Sequence, residues 1–310
     1  LLDLGMDPMN FADSLLGIVA QRLVRALCTH CAHDRPVTDE EWDALRQEYM
    51  EGSNLSRQEA QARLLKAAGY RTGHFGKWHL GIGKPTMADY GFDESAVYHG
   101  PGPKVGPYGN DIPNQAVKFI EANKDRPFYV NVWLHESHLA HSPSDESMAR
   151  WKHLDSRQQV YAAVITDGDN AVGTILDALK AEGVEDNTIV MFSSDNGPHQ
   201  EGGHKAAFFQ SSGGLTGTKR DLTEGGVRVP FIVRWPGKIK PGSVNEHVSG
   251  FQDLMPTAAD LAGVKVTAEC DGISFLPTLL GNNAQQKQHP YLYWNFNEQG
   301  GKRSVLKWPW

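Results

Sequence analysis

Residues 158–197 read QQVYAAVITDGDNAVGTILDALKAEGVEDNTIVMFSSDNG. The first part, 158–183, spaces its apolar residues at helical intervals and stops at glycine, the pattern of a long amphipathic helix. The second part, 187–197, is an apolar run, Ile189–Val190–Met191–Phe192, that breaks into a polar tip. That is a buried strand followed by a turn. Working outward, PFYVNVWLH (127–135) and VPFIVRWPG (229–237) read as further strands, and DLMPTAADLAG (253–263) as another helix. Strands alternating with helices imply an α/β fold, a mainly parallel sheet sandwiched by helices. No internal repeat or low-complexity tract interrupts it.

The front of the chain has a different character. FADSLLGIVAQRLVRAL carries Leu15, Ile18, Val19, Leu23 and Leu27 at helix-like spacings, so a helix is expected there. CTHCAHDRP breaks it. TDEEWDALRQEYM restarts with Thr38 as N-cap and Glu41 three residues on, and LSRQEAQARLLKAAGY follows with Ser56 and Glu59 in the same relation.

Composition bounds the function. The chain has 310 residues and a net charge of −7, which argues against a general nucleic-acid binder that displaces counterions with a basic stripe. Its three cysteines, Cys28, Cys31 and Cys270, are too few and odd in number for a disulfide framework. No apolar run reaches the length of a membrane span. The first residues, LLDLGMDPMN, lack the basic and apolar regions of a signal peptide and an initiator methionine, so the expectation is a start inside a longer reading frame.

Four segments carry chemistry. TGHFGKWHLG (72–81) holds Lys77 and His79 two residues apart; in an extended segment both face one way while Trp78 packs on the other side. An ammonium and an imidazole on one face suit a tetrahedral oxyanion. Taken alone, a solvated lysine and a structural histidine would be the better reading. In FSSDNG, Asp195 and Asn196 offer a carboxylate and an amide oxygen at a strand's carboxyl end, donors for a hard cation. Asp-Asn-Gly is also a turn signal in its own right. LTGTKRDLTEGGVRVPFIVRWPG (215–237) places Lys219 in a glycine-flanked loop. HESHLAHSP (135–143) offers His135, His138 and His141 at spacing three. Helical spacing would permit a metal site, but Pro143 and the preceding strand argue for a loop, with one histidine facing the pocket and the others at the surface.

Together these motifs resemble the sulfatase family of the alkaline-phosphatase-like superfamily, over about residues 55–310. GYRTGHFGKWHLG, SSDNG, GTKRDLTEGGVRVPFIVRWPGKI, DLMPTAADLAG and YLYWNF follow in that family's order. The resemblance implies hydrolysis of sulfate esters, arylsulfatase-like, by a formylglycine hydrate made from a Cys or Ser in a C/S-x-P/A-x-R motif. It implies Asp195 and Asn196 as ligands of Ca²⁺ or a similar cation. Lys77 matches the lysine that touches sulfate and the nucleophile, His79 the histidine that hydrogen-bonds the hydrate, and Lys219 the second sulfate-binding lysine. His138 best matches the histidine that protonates the leaving alcohol, although Ser137-His138-Leu139-Ala140 departs from the family's Pro-His-x-Pro. The partner implied is a sulfate-ester small molecule or sulfated glycan, with no nucleic acid and no membrane span. Relatives in bacteria are mostly periplasmic or extracellular; oligomeric state is left open.

Two family features are missing. No Asp-Asp pair and no C/S-x-P/A-x-R motif occurs in the 310 residues. Cys28 is followed by Thr29-His30-Cys31-Ala32 and Cys31 by Ala32-His33-Asp34-Arg35, so neither fits. Residues 1–50 instead resemble the C-terminal part of the motor domain of type II secretion and type IV pilus traffic ATPases, without the phosphate-binding lysine loop. The Cys28/Cys31 pair is read as two free thiols. The domain expectation is a helical fragment over 1–52 joined near 50–54 to an incomplete sulfatase domain over 53–310, lacking its N-terminal strand and C-terminal subdomain. Little or no catalysis is then expected, with residual sulfate binding through Lys77, His79 and Lys219. The alternatives are a phosphoesterase of the same superfamily, which EGGVRVP and DNG disfavour, and a non-catalytic anion- or partner-binding fragment.

Overall fold

A computed structural model of the chain describes residues 15–22, 57–78, 86–98, 111–266, 270–296 and 301–307. In chain order the elements are β1 (Leu15–Arg22), α1 (Arg57–Ala67), β2 (Arg71–Lys77), β3 (Glu94–Tyr98), α2 (Asp111–Asn123), β4 (Phe128–Trp133), α3 (Asp145–Arg150), α4 (Ser156–Ala181), β5 (Thr188–Ser194), α5 (Ala206–Phe209), α6 (Glu224–Val227), β6 (Phe231–Arg234), α7 (Leu254–Ala262), α8 (Leu276–Leu279), β7 (Leu292–Phe296) and β8 (Lys302–Leu306). Six strands form one sheet in the order β3-β2-β4-β1-β5-β6, and β7-β8 is a separate antiparallel pair.

Strand β2 pairs parallel with β3 and β4. Strand β1 is antiparallel to both β4 and β5, so those two share one direction. Only β1 and β6 run against the rest. The sheet is thus mainly parallel in strand direction, with helices on both faces.

Alternation along the strands builds the two layers. Phe128, Val130 and Val132 of β4 and Val190 and Phe192 of β5 pack with Phe119 of α2 and Ile175 of α4 on one face. Tyr129, Ile189 and Met191 pack with Leu65 of α1 and Ala258 of α7 on the other. Helix α4 begins as its sequence demands: the Asp155 carboxylate accepts from the amides of Arg157 and Gln158, both at 3.1 Å, an N-cap satisfying two orphan donors. It ends at Gly183, whose φ of +67° reverses the chain.

Residues 15–22 correct the expectation of a helix at the front of the chain. They form the strand between β4 and β5, with Val19 opposite both Asn131 and Met191. The backbones of β4 and β5 each carry donors and acceptors along the slot between them, and burial requires those to be paired. The segment LLGIVAQR can supply the pairing. Its Gly17, Ile18 and Val19 are poor helix formers, and β-branched residues favour a strand. Helical spacing of leucines was outweighed by a slot needing a ladder. The segment expected to be a separate helix therefore sits inside the sheet built by the later residues. The second front helix, the Cys28/Cys31 pair and the join at 50–54 lie outside the described residues. Among the described residues no helix is long and apolar enough to cross a membrane.

Candidate oxyanion site at the carboxyl edge of the sheet

Strands β2, β4 and β5 share one direction, so their carboxyl ends meet at one edge, where open α/β sheets bind ligands. Lys77 ends β2, the histidine loop follows β4, and Asp195–Asn196 follow β5.

The approach of β2 to β4 depends on Gly76. Its φ is +114°, and a Cβ there would lie 2.0 Å from the Trp133 carbonyl oxygen. Only glycine permits both the dihedral and the contact. The next residue, Lys77, is half-buried, while Trp78 is buried against Tyr90 and Trp133. Beneath Lys77, the buried His74 ring lies with Nε2 3.3 Å from the Lys77 carbonyl oxygen. Burial drives the pKa of His74 down to about 3, against that backbone bond, so the ring is neutral.

Burial is also the main reason the Lys77 amine is held below the ordinary lysine range. Asp195 opposes that, Lys219 adds to it, and Glu201 opposes it again. These charges therefore share one electrostatic neighbourhood. Asp195 is exposed at the strand tip. The turn behind it is tight: Ser194 Oγ donates to the Asn196 carbonyl at 2.9 Å and Asn196 Nδ2 to the Gly197 carbonyl at 2.8 Å.

The Lys219 loop is laced to that turn. Gly197 N–H donates to the Gly226 carbonyl at 2.9 Å, and Lys219 N–H to the Pro198 carbonyl at 2.7 Å. A Cβ on Gly197 would sit 1.8 Å from the Gly225 carbonyl oxygen, so the two backbones touch. Behind the loop, Lys302 of β8 donates to the Arg220 carbonyl at 2.9 Å and reaches the Asp221 carboxylate at 3.2 Å.

The histidine loop is anchored beyond its far end. Asp167 of α4 accepts from Ser144 N–H and Ser144 Oγ at 2.7 Å each, and from Ser147 Oγ at 2.6 Å. His138 is half-buried, with Nδ1 2.7 Å from the Leu139 carbonyl, which assigns the proton to Nδ1. Burial lowers its pKa first, the Leu139 bond opposes, Lys77 and Lys219 lower it further, and Glu201 raises it. Neutral His138 thus presents Nε2 as the atom that gains or loses a proton, and its imidazolium is a stronger acid than a free one.

The structure brings Lys77, Asp195, Lys219 and His138 into mutual electrostatic range, with Asn196 beside Asp195. His79 lies outside the described residues. The other two loop histidines are not surface residues as expected. His135 is buried, and the half-buried His141 packs among Tyr161, His199 and His204 at ring distances of 6.0–6.2 Å. Apolar burial of α4 and of the 199–204 segment draws them in, which loop spacing alone does not reveal. Two further groups escaped the sequence reading: Glu201, paired with Arg220 at 2.8 Å, and the buried His199. The signal for them was there, as they follow Asp195–Gly197 directly and precede the Gly202–Gly203 pair. Glu136, also buried, has its carboxyl pushed up to about 7 by burial, against backbone hydrogen bonds from its own amide and His135.

A hard cation such as Ca²⁺ takes six to eight oxygens. Asp195 and Asn196 are the right donor type, but they do not complete such a shell. Among the described residues no group of three or more His, Cys, Asp or Glu is placed to hold a metal ion.

Two amines, an imidazole and a carboxylate thus gather at the carboxyl edge of an open α/β sheet, the edge where such sheets bind ligands. The chain belongs to the sulfatase family: the family model described as Sulfatase matches residues 30–264. It is 31% identical to an arylsulfatase of Hemicentrotus pulcherrimus over 75% of this chain and 48% of that protein. It is 30% identical to the N-acetylgalactosamine-6-sulfatase of Mus musculus over 76% of this chain and 51% of that one. The chain thus spans about half the length of these curated relatives. Among solved structures it is similar to Ps i-CgsB, with a TM-score of 0.71 and 26% identity over 80% of this chain and 63% of that one.

Proposed function

We propose that this chain carries the sulfate-holding part of a sulfuric ester hydrolase site, and that it binds sulfate esters without turning them over. Lys77 and Lys219 hold the equatorial sulfate oxygens, and His138, when protonated at Nε2, donates a hydrogen bond to the ester oxygen, the place from which a complete site would protonate the leaving alcohol. Asp195 and Asn196 contribute two oxygens toward a hard cation such as Ca²⁺, which would neutralise sulfate charge when bound. The observation that carries the reading is the meeting of Lys77, Lys219 and His138 at one sheet edge, where Lys219 lowers the pKa of Lys77 and both lysines lower that of His138.

The chemistry fits. Cleaving a sulfate ester piles negative charge on the equatorial oxygens and on the leaving oxygen, and fixed cations aimed there supply most of the stabilisation. His138 is tuned to release a proton readily once charged. The nucleophile is what the 310 residues do not offer, since no Cys or Ser sits in the C/S-x-P/A-x-R pattern. The relatives' names span arylsulfatase, N-acetylgalactosamine-6-sulfatase and steryl-sulfatase, and the Ps i-CgsB fold is also solved with k-i-k-neocarrahexaose. The shared chemistry is the sulfate monoester of an alcohol, in a small molecule or a glycan.

The test is calorimetric titration of the purified chain with inorganic sulfate and with an aryl sulfate, beside a turnover assay on the same aryl sulfate. Losing one charge-assisted contact costs about 1.5–3 kcal/mol, so Lys77→Ala and Lys219→Ala should each weaken binding roughly 10- to 100-fold. Absence of sulfate binding would remove the site. Turnover above the buffer rate would remove the claim that the chain only binds.

A further inference from the structure

The segment His199–His204 takes no direct part in the sulfate chemistry, yet it lies between the two loops that hold the site. We propose that His199 is the positioning residue of this site: a neutral Nε2–H imidazole that bolts the His138 loop to the Glu201 segment and so sets where His138 and Lys219 stand.

Both ring nitrogens have defined partners. His199 Nε2 lies 2.9 Å from the Ser137 carbonyl oxygen, which can only accept, so Nε2 carries the proton. Glu201 N–H donates to His199 Nδ1 at 3.0 Å, so Nδ1 keeps its lone pair. The two bonds select one tautomer of the neutral ring, and a second proton would break the bond from Glu201. The ring is buried, at 2% exposure. Burial first, and the charge of Lys219 and His204 with it, push its pKa down to about 4, against the Ser137 bond and Glu201.

Each anchor touches the site. Ser137 directly precedes His138, whose ring is 6.4 Å from that of His199. Pro198, on the other side, accepts from the Lys219 backbone at 2.7 Å. Glu201 is tied to Arg220, the residue after Lys219, at 2.8 Å. His199 therefore reaches across to the His138 loop while its own backbone neighbour Pro198 holds the Lys219 loop.

The surrounding packing keeps the bolt in place. His141 Nε2 approaches the same Ser137 carbonyl at 3.2 Å, so one oxygen receives two imidazoles. Gly202, at φ +85°, is pressed so close to that loop that a Cβ would meet Leu139 at 3.0 Å and His141 at 3.2 Å. His204 stacks on Tyr161 of α4 at 3.8 Å and meets His199 edge-on at 5.4 Å. Arg157 of α4 lies over Gly203, its guanidinium nitrogen 2.7 Å from where a Cβ would sit. A buried histidine that only filled space would need no cross-loop bond. The bond to Ser137 runs to the segment that carries His138, and the local bond from Glu201 fixes the tautomer that makes it.

The positioning role rests on the sulfate reading of His138 and Lys219; the tautomer does not. The full chain, labelled with ¹⁵N-histidine, is followed by long-range ¹⁵N–¹H correlation across pH 4–8, and sulfate affinity is measured alongside. The expected result is an Nε2–H neutral His199 throughout the neutral range. His199→Phe keeps the ring volume without either bond; it should shift the His138 resonances and weaken sulfate binding roughly tenfold. His199→Gln keeps a side-chain N–H for Ser137 and should restore affinity to within about threefold. A wild-type His199 that is Nδ1–H, or that titrates like a free imidazole, overturns the bolt. So does a folded His199→Phe with unmoved His138 resonances, or a Gln variant no better than Phe. Should the Phe variant not fold, the wild-type tautomer and the Gln variant's His138 resonances decide. If wild-type chain binds no sulfate, the proposed function fails, while the tautomer and the His138 resonances still judge this inference.

Discussion

Gly197→Ala isolates the contact on which the site's assembly turns. Gly197 has no left-handed dihedral, so alanine's backbone preference is not at issue. Space is: the added methyl would sit 1.8 Å from the Gly225 carbonyl oxygen. An ordinary carbon–oxygen contact is about 3.3 Å, so the two backbones must part by roughly 1.5 Å. That breaks the bond from Gly197 N–H to the Gly226 carbonyl, now 2.9 Å, and strains the bond from Lys219 to Pro198 at 2.7 Å. Leaving one or two buried backbone groups unmet costs about 1–3 kcal/mol each. The expected loss is about 2–4 kcal/mol, or roughly 3–6 °C in Tm for a chain of this length. Gly173 in α4 is the control, since nothing lies within 4 Å of its Cβ position. There Gly→Ala should stabilise by about 0.5–1 kcal/mol, because alanine is the better helix former. Urea unfolding of both variants, with sulfate titration, gives the comparison. A Gly197→Ala chain as stable as wild type, or stabilised like Gly173→Ala, would refute the claim that these backbones touch.

Two further outcomes concern protons. Because burial holds the Lys77 amine below 10.5, sulfate affinity should begin to fall as pH rises before ordinary lysines lose charge; Lys77→Arg, charged throughout, should hold its affinity further into alkali, and identical alkaline profiles would sink the assignment. His74 has a folded pKa depressed to about 3 from 6.5, so its contribution to stability is full above pH 6.5 and is lost as pH falls toward 3, with a slope of about 1.4 kcal/mol per pH unit. Urea unfolding at stepped pH should show His74→Phe shallower by about one proton in that window, and an unchanged slope would count against the burial. Glu136, raised to about 7, works in the opposite sense, adding stability below pH 4.5 that is lost as pH climbs through 7.

Half of the sheet, strands β4, β5 and β6, was legible in the sequence because these are apolar runs, and the helix over 158–183 because it keeps a 3.6 period; β3, short and mixed in polarity, gave no such signal. Lys77, Asp195, Asn196, Lys219 and His138 lie at strand ends or in loops, but local pattern alone favoured a bland reading, and only the motifs' joint resemblance to the family singled them out. Strand β1 could not be picked out, since the leucines of residues 15–27 satisfy a helical spacing and only the open slot between β4 and β5 decides otherwise. His199 and Glu201 were missed because their roles arise from a carbonyl 62 positions away and from a neighbouring loop, which local patterning does not encode. The burial of His135 and His141 has the same origin.

The middle of the sheet also has a history in time. Strand β1 leaves the ribosome well before the partners it joins, β4 at Phe128–Trp133 and β5 at Thr188–Ser194. At about 5–20 residues per second, the wait for β5 is on the order of ten seconds. For most of it, until β4 is made, an apolar segment rich in β-formers has neither of the edges it finally joins, the condition under which strands find wrong partners. The same ladder that completes the sheet therefore closes late, and the nascent chain's exposure to aggregation or to a chaperone is set by how far apart in synthesis its central strands lie.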